Sequence, residues 1–390
     1  MPEYIVIGVI VAAFAVAGVL SFFFTPPVKR FAHKVGAIDV PKDNRRMHKE
    51  PIPRLGGLAI FGGFLCAILI FGELDQTMLC VLLGATIIVA LGIFDDVLAL
   101  GATLKFVVQI IAAAIPVCVG DLQIRLFTSL NPFSDEPYFH LGILAIPVTI
   151  LWIVGITNAV NLIDGLDGLA VGVSSIAAIT MLAVALLTGN MAIAVTMAAL
   201  AGACIGFMPY NLNPAKIFMG DTGSTFLGYM LATVSIMGLF KFYAVISFAV
   251  PFLILGLPIF DTANAIIRRV AEGRSPMSPD RGHVHHKLID MGFNQKQAVA
   301  ILYAISATLG LTAVVLTSSG EVKAIVLLLA VLAVILVGAC IIYGAEHWTR
   351  HDPPNGDEQS DGADAPSQTQ DTVDTQPDAA QEEKKDNGQD

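Results

Sequence analysis

The sequence predicts an all-α polytopic membrane protein of about eleven transmembrane helices, and three observations carry that prediction. Hydrophobic residues make up 55% of the chain and its mean hydropathy is +0.73, far above ordinary soluble domains. About eleven apolar stretches approach the roughly 20 residues a helix needs to cross the hydrocarbon core. Motifs rich in Asp, Asn, Lys and His interrupt these stretches at every second span, so alternation places all of them on one membrane face.

The expected spans lie near 3–24, 57–72, 77–94, 104–120, 141–157, 169–188, 191–209, 223–240, 242–260, 298–317 and 323–345. Several contain Gly or Pro, which membrane helices tolerate. The first is too long for a signal-peptide core, lacks a basic leader and runs into Phe22-Phe23-Phe24, so it is expected to be retained as a helix.

The formal charge of −10 sits in the C-terminal segment, where Arg350, Lys384 and Lys385 face 13 acidic residues from Glu346 onward. With no aromatic after Trp348, that segment buries too little apolar surface to offset ordering entropy. Two regions follow: a membrane domain over 1–345 and an acidic, disordered tail over 346–390. The five cysteines (Cys66, Cys80, Cys118, Cys204, Cys340) have no CxxC spacing, so neither a disulfide framework nor a zinc site is expected.

Loop charge sets the orientation. Lys29, Arg30, Lys34, Lys42, Arg45, Arg46, Lys49 and Arg54 follow the first span; Arg268, Arg269, Arg274, Arg281, Lys287 and Lys296 follow the ninth. The opposite loops hold Arg125, Lys241 and Lys323. The positive-inside rule therefore puts the N-terminus outside, the C-terminus in the cytoplasm and every polar motif on the cytoplasmic face. These charges flank membrane spans, and no nucleic-acid partner is expected.

Asp95-Asp96 closes the third span and Lys105 opens the fourth. Carboxylates at a span end are costly in lipid and mark either a polar boundary or a functional site. Neighbouring negative charges push their pKa values apart, which lets one carboxylate orient a lysine or metal while the other accepts a proton.

Asn158, Asn161, Asp164 and Asp167 are spaced three apart before the sixth span. That spacing puts neighbours on one face of a helical turn, while a simpler reading makes Asp167 an N-cap. Asn211, Phe218 and Asp221 precede the eighth span. Asp221 suits Mg²⁺, which takes one or two carboxylates plus substrate phosphate; an ordinary N-cap is the competing reading.

The run Arg281-Gly-His283-Val-His285-His286-Lys287 lies in the ninth loop. It fits a zinc tract, a proton relay or a cationic phosphate clamp, and the flanking Arg and Lys favour phosphate. His48-Lys49 and Pro51-Ile-Pro53-Arg54-Leu-Gly56-Gly57 lead into the second span, with turn punctuation beyond what loop charge requires.

Taken together, Asp95-Asp96, NAVNLIDGLDGLA, NxxPAxxFMGDTGS and RGHVHH resemble the polyprenyl-phosphate N-acetylhexosamine-1-phosphate transferases, from about His48 through the last spans. The PIPRLGG and HVHH forms look like the branch that moves GlcNAc-1-phosphate to undecaprenyl phosphate for teichoic acid, O-antigen or related glycans. The phospho-MurNAc-pentapeptide branch is the alternative. Where similar proteins often carry a further lysine two positions before Lys105, this chain has Thr103.

The resemblance implies a bacterial plasma-membrane enzyme using UDP-GlcNAc, undecaprenyl phosphate and Mg²⁺, with Mn²⁺ as a substitute and a homodimer as an allowed assembly. It implies that Asp221 and Asn211 bind the metal, that Asp95 and Asp96 orient or deprotonate the lipid phosphate, and that Lys105 holds it. Asn158, Asn161, Asp164, Asp167 and Phe218 are implied around the nucleoside. Arg281, His283, His285 and His286 are implied at the pyrophosphate, with Lys49 and Arg54 at the entrance. An ion-coupled transporter is the rival class, but its site would lie near the bilayer midplane.

Overall fold

A computed structural model describes residues 3–40, 50–128, 138–238, 244–275 and 282–318. All of them belong to the first of the two units into which the chain divides, Met1–Ala333. The expected eleventh span and the acidic tail lie outside the described residues.

Helix α1 (Glu3–Val35) has 33 residues and is about 50 Å long at 1.5 Å per residue, well beyond the roughly 30 Å hydrocarbon core. It runs past the expected end at residue 24 and continues through Pro26 and Pro27. A two-stranded antiparallel ribbon, β1 (Ile38–Asp39) and β2 (Ile52–Pro53), follows. Next come α2 (Gly57–Phe71), α3 (Gln76–Leu98) and α4 (Ala102–Cys118), then a second antiparallel ribbon, β3 (Leu126–Thr128) and β4 (Tyr138–His140).

The chain continues with α5 (Ala145–Leu162), α6 (Leu169–Leu187), α7 (Met191–Asn211), α8 (Gly220–Gly238), α9 (Ala244–Ile254), α10 (Gly256–Ala271), α11 (Val284–Asp290) and α12 (Gln295–Ser318). Side chains set two of the starts. Asp75 accepts from the Met78 amide at 2.7 Å to open α3, and Asn190 accepts from the Ile193 amide at 3.3 Å to open α7, each satisfying a donor that has no partner within its helix.

Among the described residues, six helices are long and apolar enough to cross a membrane: Tyr4–Val35, Gln76–Leu98, Gly142–Leu162, Leu169–Leu187, Met191–Asn211 and Gln295–Ser318. The helices Gly57–Phe71 and Ala102–Cys118 are apolar but shorter. The expected ninth span, 242–260, is not one helix: α9 and α10 meet at Leu255. Pro258 has no amide hydrogen with which to bond the carbonyl four residues back, so the ladder fails there.

Helix α8 is buried along nearly its whole length, enclosed by α2, α3, α5 and α6. Its hydroxyls are satisfied locally: Thr225 donates to the Asp221 carbonyl at 2.6 Å and Thr233 to the Tyr229 carbonyl at 2.9 Å. Close helix contact depends on small residues, as expected where lipid removes the hydrophobic drive for helix association. A Cβ on Gly202 of α7 would lie 2.1 Å from the Phe14 carbonyl of α1, and one on Gly206 would lie 2.0 Å from that of Gly18.

Candidate functional site

The motif-bearing ends of α3 to α8 meet at one end of the bundle. Asp95 lies in the last turn of α3, where its Oδ1 accepts from the Leu100 amide at 2.8 Å. Lys105, in the first turn of α4, donates to Asp95 Oδ2 at 2.8 Å and to Asp221 Oδ2 at 3.1 Å. One ammonium thereby joins two carboxylates, with the Asp95 side chain 9% exposed and that of Asp221 27% exposed. Asp96 faces the first turn of α8: it accepts from the Asp221 and Thr222 amides, each at 3.0 Å, and from the Thr222 hydroxyl at 2.7 Å.

The end of α5 and the loop that joins it to α6 supply the next group. Asn161 accepts a hydrogen bond from Ser224 of α8. Asp167 accepts from Asn213 at 2.9 Å and from the Ala215 amide at 3.0 Å, tying its loop to the one before α8. Asp164 has its carboxyl pushed up to about 7 by burial, reinforced by the charges of Asp221 and Asp96. Asn158 is engaged elsewhere: its amide donates to Gln109 of α4 at 2.6 Å and to the Val154 carbonyl at 2.8 Å, away from the cavity.

These elements border a cavity of about 810 Å³, within the range of small-molecule sites. Asn161, Asp164, Asp167, Asn211, Phe218, Asp221 and His286 line it, together with Arg54. A short backbone ladder fixes Phe218. Its amide donates to the Pro53 carbonyl and its carbonyl accepts from the Gly56 amide, both at 2.9 Å, while the Gly57 amide donates to the Met219 carbonyl at 2.9 Å. Arg54 is held by Asp39 of β1 at 3.2 Å, so the segment before α2 forms part of the cavity wall.

Sequence reasoning missed Lys29 and His33, which also line the cavity. They stand one turn apart on the part of α1 beyond the expected span, where loop charge accounts for Lys29 alone and leaves His33 without a role. Their four-residue spacing was the available signal.

The histidine run divides. His286 lines the cavity, but His283 and His285 are buried and lie outside its wall. His283 Nδ1 is 2.8 Å from Asp261 Oδ2, and the other oxygen of Asp261 accepts from the Val284 amide at 2.8 Å. His285 stacks on His283 with ring centroids 5.7 Å apart. Burial, then the neighbouring His286 charge, lowers the His285 pKa to about 4. At neutral pH it is therefore uncharged, unlike the cationic clamp expected from sequence. Lys49 and Arg281 lie outside the described residues.

Among the described residues, no three His, Cys, Asp or Glu side chains gather as a ready metal cage. The arrangement suits a magnesium ion shared with a substrate, because that ion retains water and phosphate oxygens around one or two protein carboxylates. Asp221 provides such a carboxylate at the cavity wall, and Asn211, buried in the same lining, has its amide donating to the Ile217 carbonyl at 3.1 Å.

Comparison with known proteins identifies the relatives of this chain. Residues 78–239 match glycosyl transferase family 4. The chain is 45% identical over 311 residues to the probable undecaprenyl-phosphate N-acetylglucosaminyl 1-phosphate transferase of Bacillus subtilis strain 168, covering 80% of this chain and 86% of that protein. It is 36% identical over 318 residues to the decaprenyl-phosphate N-acetylglucosaminephosphotransferase of Mycobacterium tuberculosis strain H37Rv, covering 74% and 77%. A phospho-N-acetylmuramoyl-pentapeptide-transferase of Clostridium beijerinckii is 30% identical over 321 residues, covering 78% and 94%. With that identity and coverage, the chain belongs to glycosyl transferase family 4, the polyprenyl-phosphate N-acetylhexosamine-1-phosphate transferases.

Proposed function

We propose that the protein transfers GlcNAc-1-phosphate from UDP-GlcNAc to undecaprenyl phosphate in the bacterial plasma membrane, at the start of a teichoic acid or O-antigen type glycan. The observation that carries this reading is the junction of Asp95, Lys105 and Asp221 beside a cavity walled by Phe218, Asn161 and Asp164. An oxygen of the lipid phosphate forms a bond to the β-phosphorus, the bond from that phosphorus to the bridging oxygen breaks, and UMP leaves. Direct attack is favoured because a phosphate oxygen is already an anion near neutral pH.

The protein's task in such chemistry is positioning and charge neutralisation. Lys105 holds the lipid phosphate, with Asp95 fixing the ammonium. Phe218 offers an aromatic face to the uracil, and Asn161 and Asp164 lie in the same wall as its polar partners. His286 and Arg54 neutralise the pyrophosphate from the cavity rim. Asp221 and Asn211 would hold Mg²⁺, which when bound neutralises charge on the transferring phosphoryl group.

The proposed orientation has the cavity in the cytoplasm and the N-terminus outside. Support comes from Lys29 and Lys34 of α1 and from Arg54, which follows β2, gathered at the cavity end.

The test is purified protein in detergent with UDP-GlcNAc, undecaprenyl phosphate and Mg²⁺. UMP and undecaprenyl-pyrophosphoryl-GlcNAc are the expected products. Turnover with UDP-MurNAc-pentapeptide alone would move the protein to the other branch; turnover with neither would sink the proposal.

A further inference from the structure

The adjacent carboxylates Asp95 and Asp96 point to different partners. Asp95 reaches Lys105, whereas both oxygens of Asp96 are spent on α8: Oδ1 on the Asp221 amide, Oδ2 on the amide and hydroxyl of Thr222. A helix start leaves its first amides without partners in the helix. Here a side chain from another helix satisfies two of them, and its negative charge also suits the positive end of the helix dipole.

The local sequence is fitted to this cap. Gly220 has φ +71°, and a Cβ there would lie 2.4 Å from Asp96 Oδ2. One turn before Asp96, a Cβ on Gly92 would lie 2.4 Å from the Thr222 Cα. Helices α3 and α8 therefore touch through backbone at the level of Asp221. Asp221 lines the cavity; neither Asp95 nor Asp96 does.

We infer that Asp96 is a positioning residue that fixes Asp221, leaving Asp95 as the member of the pair bound to Lys105, which holds the lipid phosphate. The assignment of Asp95 rests on the function proposed above; the cap itself does not. Three hydrogen bonds to one helix start occupy both oxygens of the Asp96 carboxylate, which therefore serves the packing of α3 on α8.

The test compares Asp96→Asn, Thr222→Val, Thr222→Ser and the double variant Asp96→Asn/Thr222→Val. An asparagine keeps one acceptor oxygen and loses the other. Asp96→Asn should lower kcat roughly 10–100-fold, the usual cost of losing an outer support, while retaining the acid limb of the kcat/KM pH profile. Thr222→Val should lower kcat about tenfold, as expected for one hydrogen bond to a charged group, and Thr222→Ser should match the parent. The double variant should fall less than the product of the single effects, both in kcat and in thermal stability.

Loss of the acid limb in Asp96→Asn, with unchanged melting temperature and a parental rate for Thr222→Val, would overturn the inference. Additive effects in the double variant would also overturn it. If Asp96→Asn does not fold, the contrast between Thr222→Val and Thr222→Ser decides: equal rates and melting temperatures refute the cap. Should the parent fail to turn over UDP-GlcNAc, the function falls while the stability cycle still tests the cap.

Discussion

Lys105 of α4 forms an ion pair with Asp221 of α8 across 116 positions of sequence, at 3.1 Å. The same nitrogen holds Asp95, so one positive charge offsets the repulsion between two carboxylates. Lys105→Met should reduce UMP release by roughly 10²–10³-fold, in line with the loss of one preorganised electrostatic contact. A rate within threefold of the parent would remove Lys105 from the mechanism.

The Pro53–Phe218 ladder depends on how closely α2 approaches α8. A Cβ on Gly57 would lie 2.1 Å from the backbone of Gly223, whereas one on Gly8 of α1 meets nothing within 4 Å. Gly57→Ala should cost about 1–3 kcal/mol through overpacking and raise the KM for UDP-GlcNAc as Phe218 shifts. Gly8→Ala is the neutral control. Equal melting curves for the two variants would contradict the packing argument.

Two groups should leave opposite marks on stability in cation-free detergent. His285 has its pKa lowered from 6.5 to about 4, so the unfolded chain binds the proton first and stability drops as pH falls between those values. Asp164 is raised from 3.8 to about 7; its contribution is present at low pH and lost as pH rises through about 7. The two windows overlap with opposite sign, so in thermal unfolding from pH 4 to 8 His285→Gln should lose the part of stability that rises with pH and Asp164→Asn the part that falls. Curves parallel to the parent would reject the corresponding shift.

Cys118 tests orientation. It is exposed at the end of α4, opposite the end that carries Lys105. With the other four cysteines changed to serine, a membrane-impermeant thiol reagent should label Cys118 on intact cells. Labelling only after permeabilisation would place the cavity outside.

Much of the site was legible because its residues are chemically costly where they stand. Asp95, Asp164 and Asp221 interrupt apolar runs, and carboxylates at span ends need a reason. Less legible was direction. The spacing of Asn158 and Asn161 looks uniform in sequence, yet Asn158 turns to Gln109 while Asn161 meets Ser224 beside the cavity. Likewise, His283 and His286 look equivalent in the motif, but a buried Asp261, 22 residues earlier, claims one of them. The break between α9 and α10 was hidden because hydropathy averages across a proline that interrupts the hydrogen-bond ladder.

The sequence by itself determined that the chain is a membrane helix bundle, that its polar motifs belong to one end, and which residue types could serve phosphate chemistry. Hydropathy and alternation are local properties, so they survive in one dimension. Only tertiary structure decided that Lys105 bridges Asp95 and Asp221, that Asp96 caps α8, and that Lys29 and His33 line the cavity. Hydrogen bonds and cavity walls depend on distances between helices, which close packing of small residues sets and which no single span encodes.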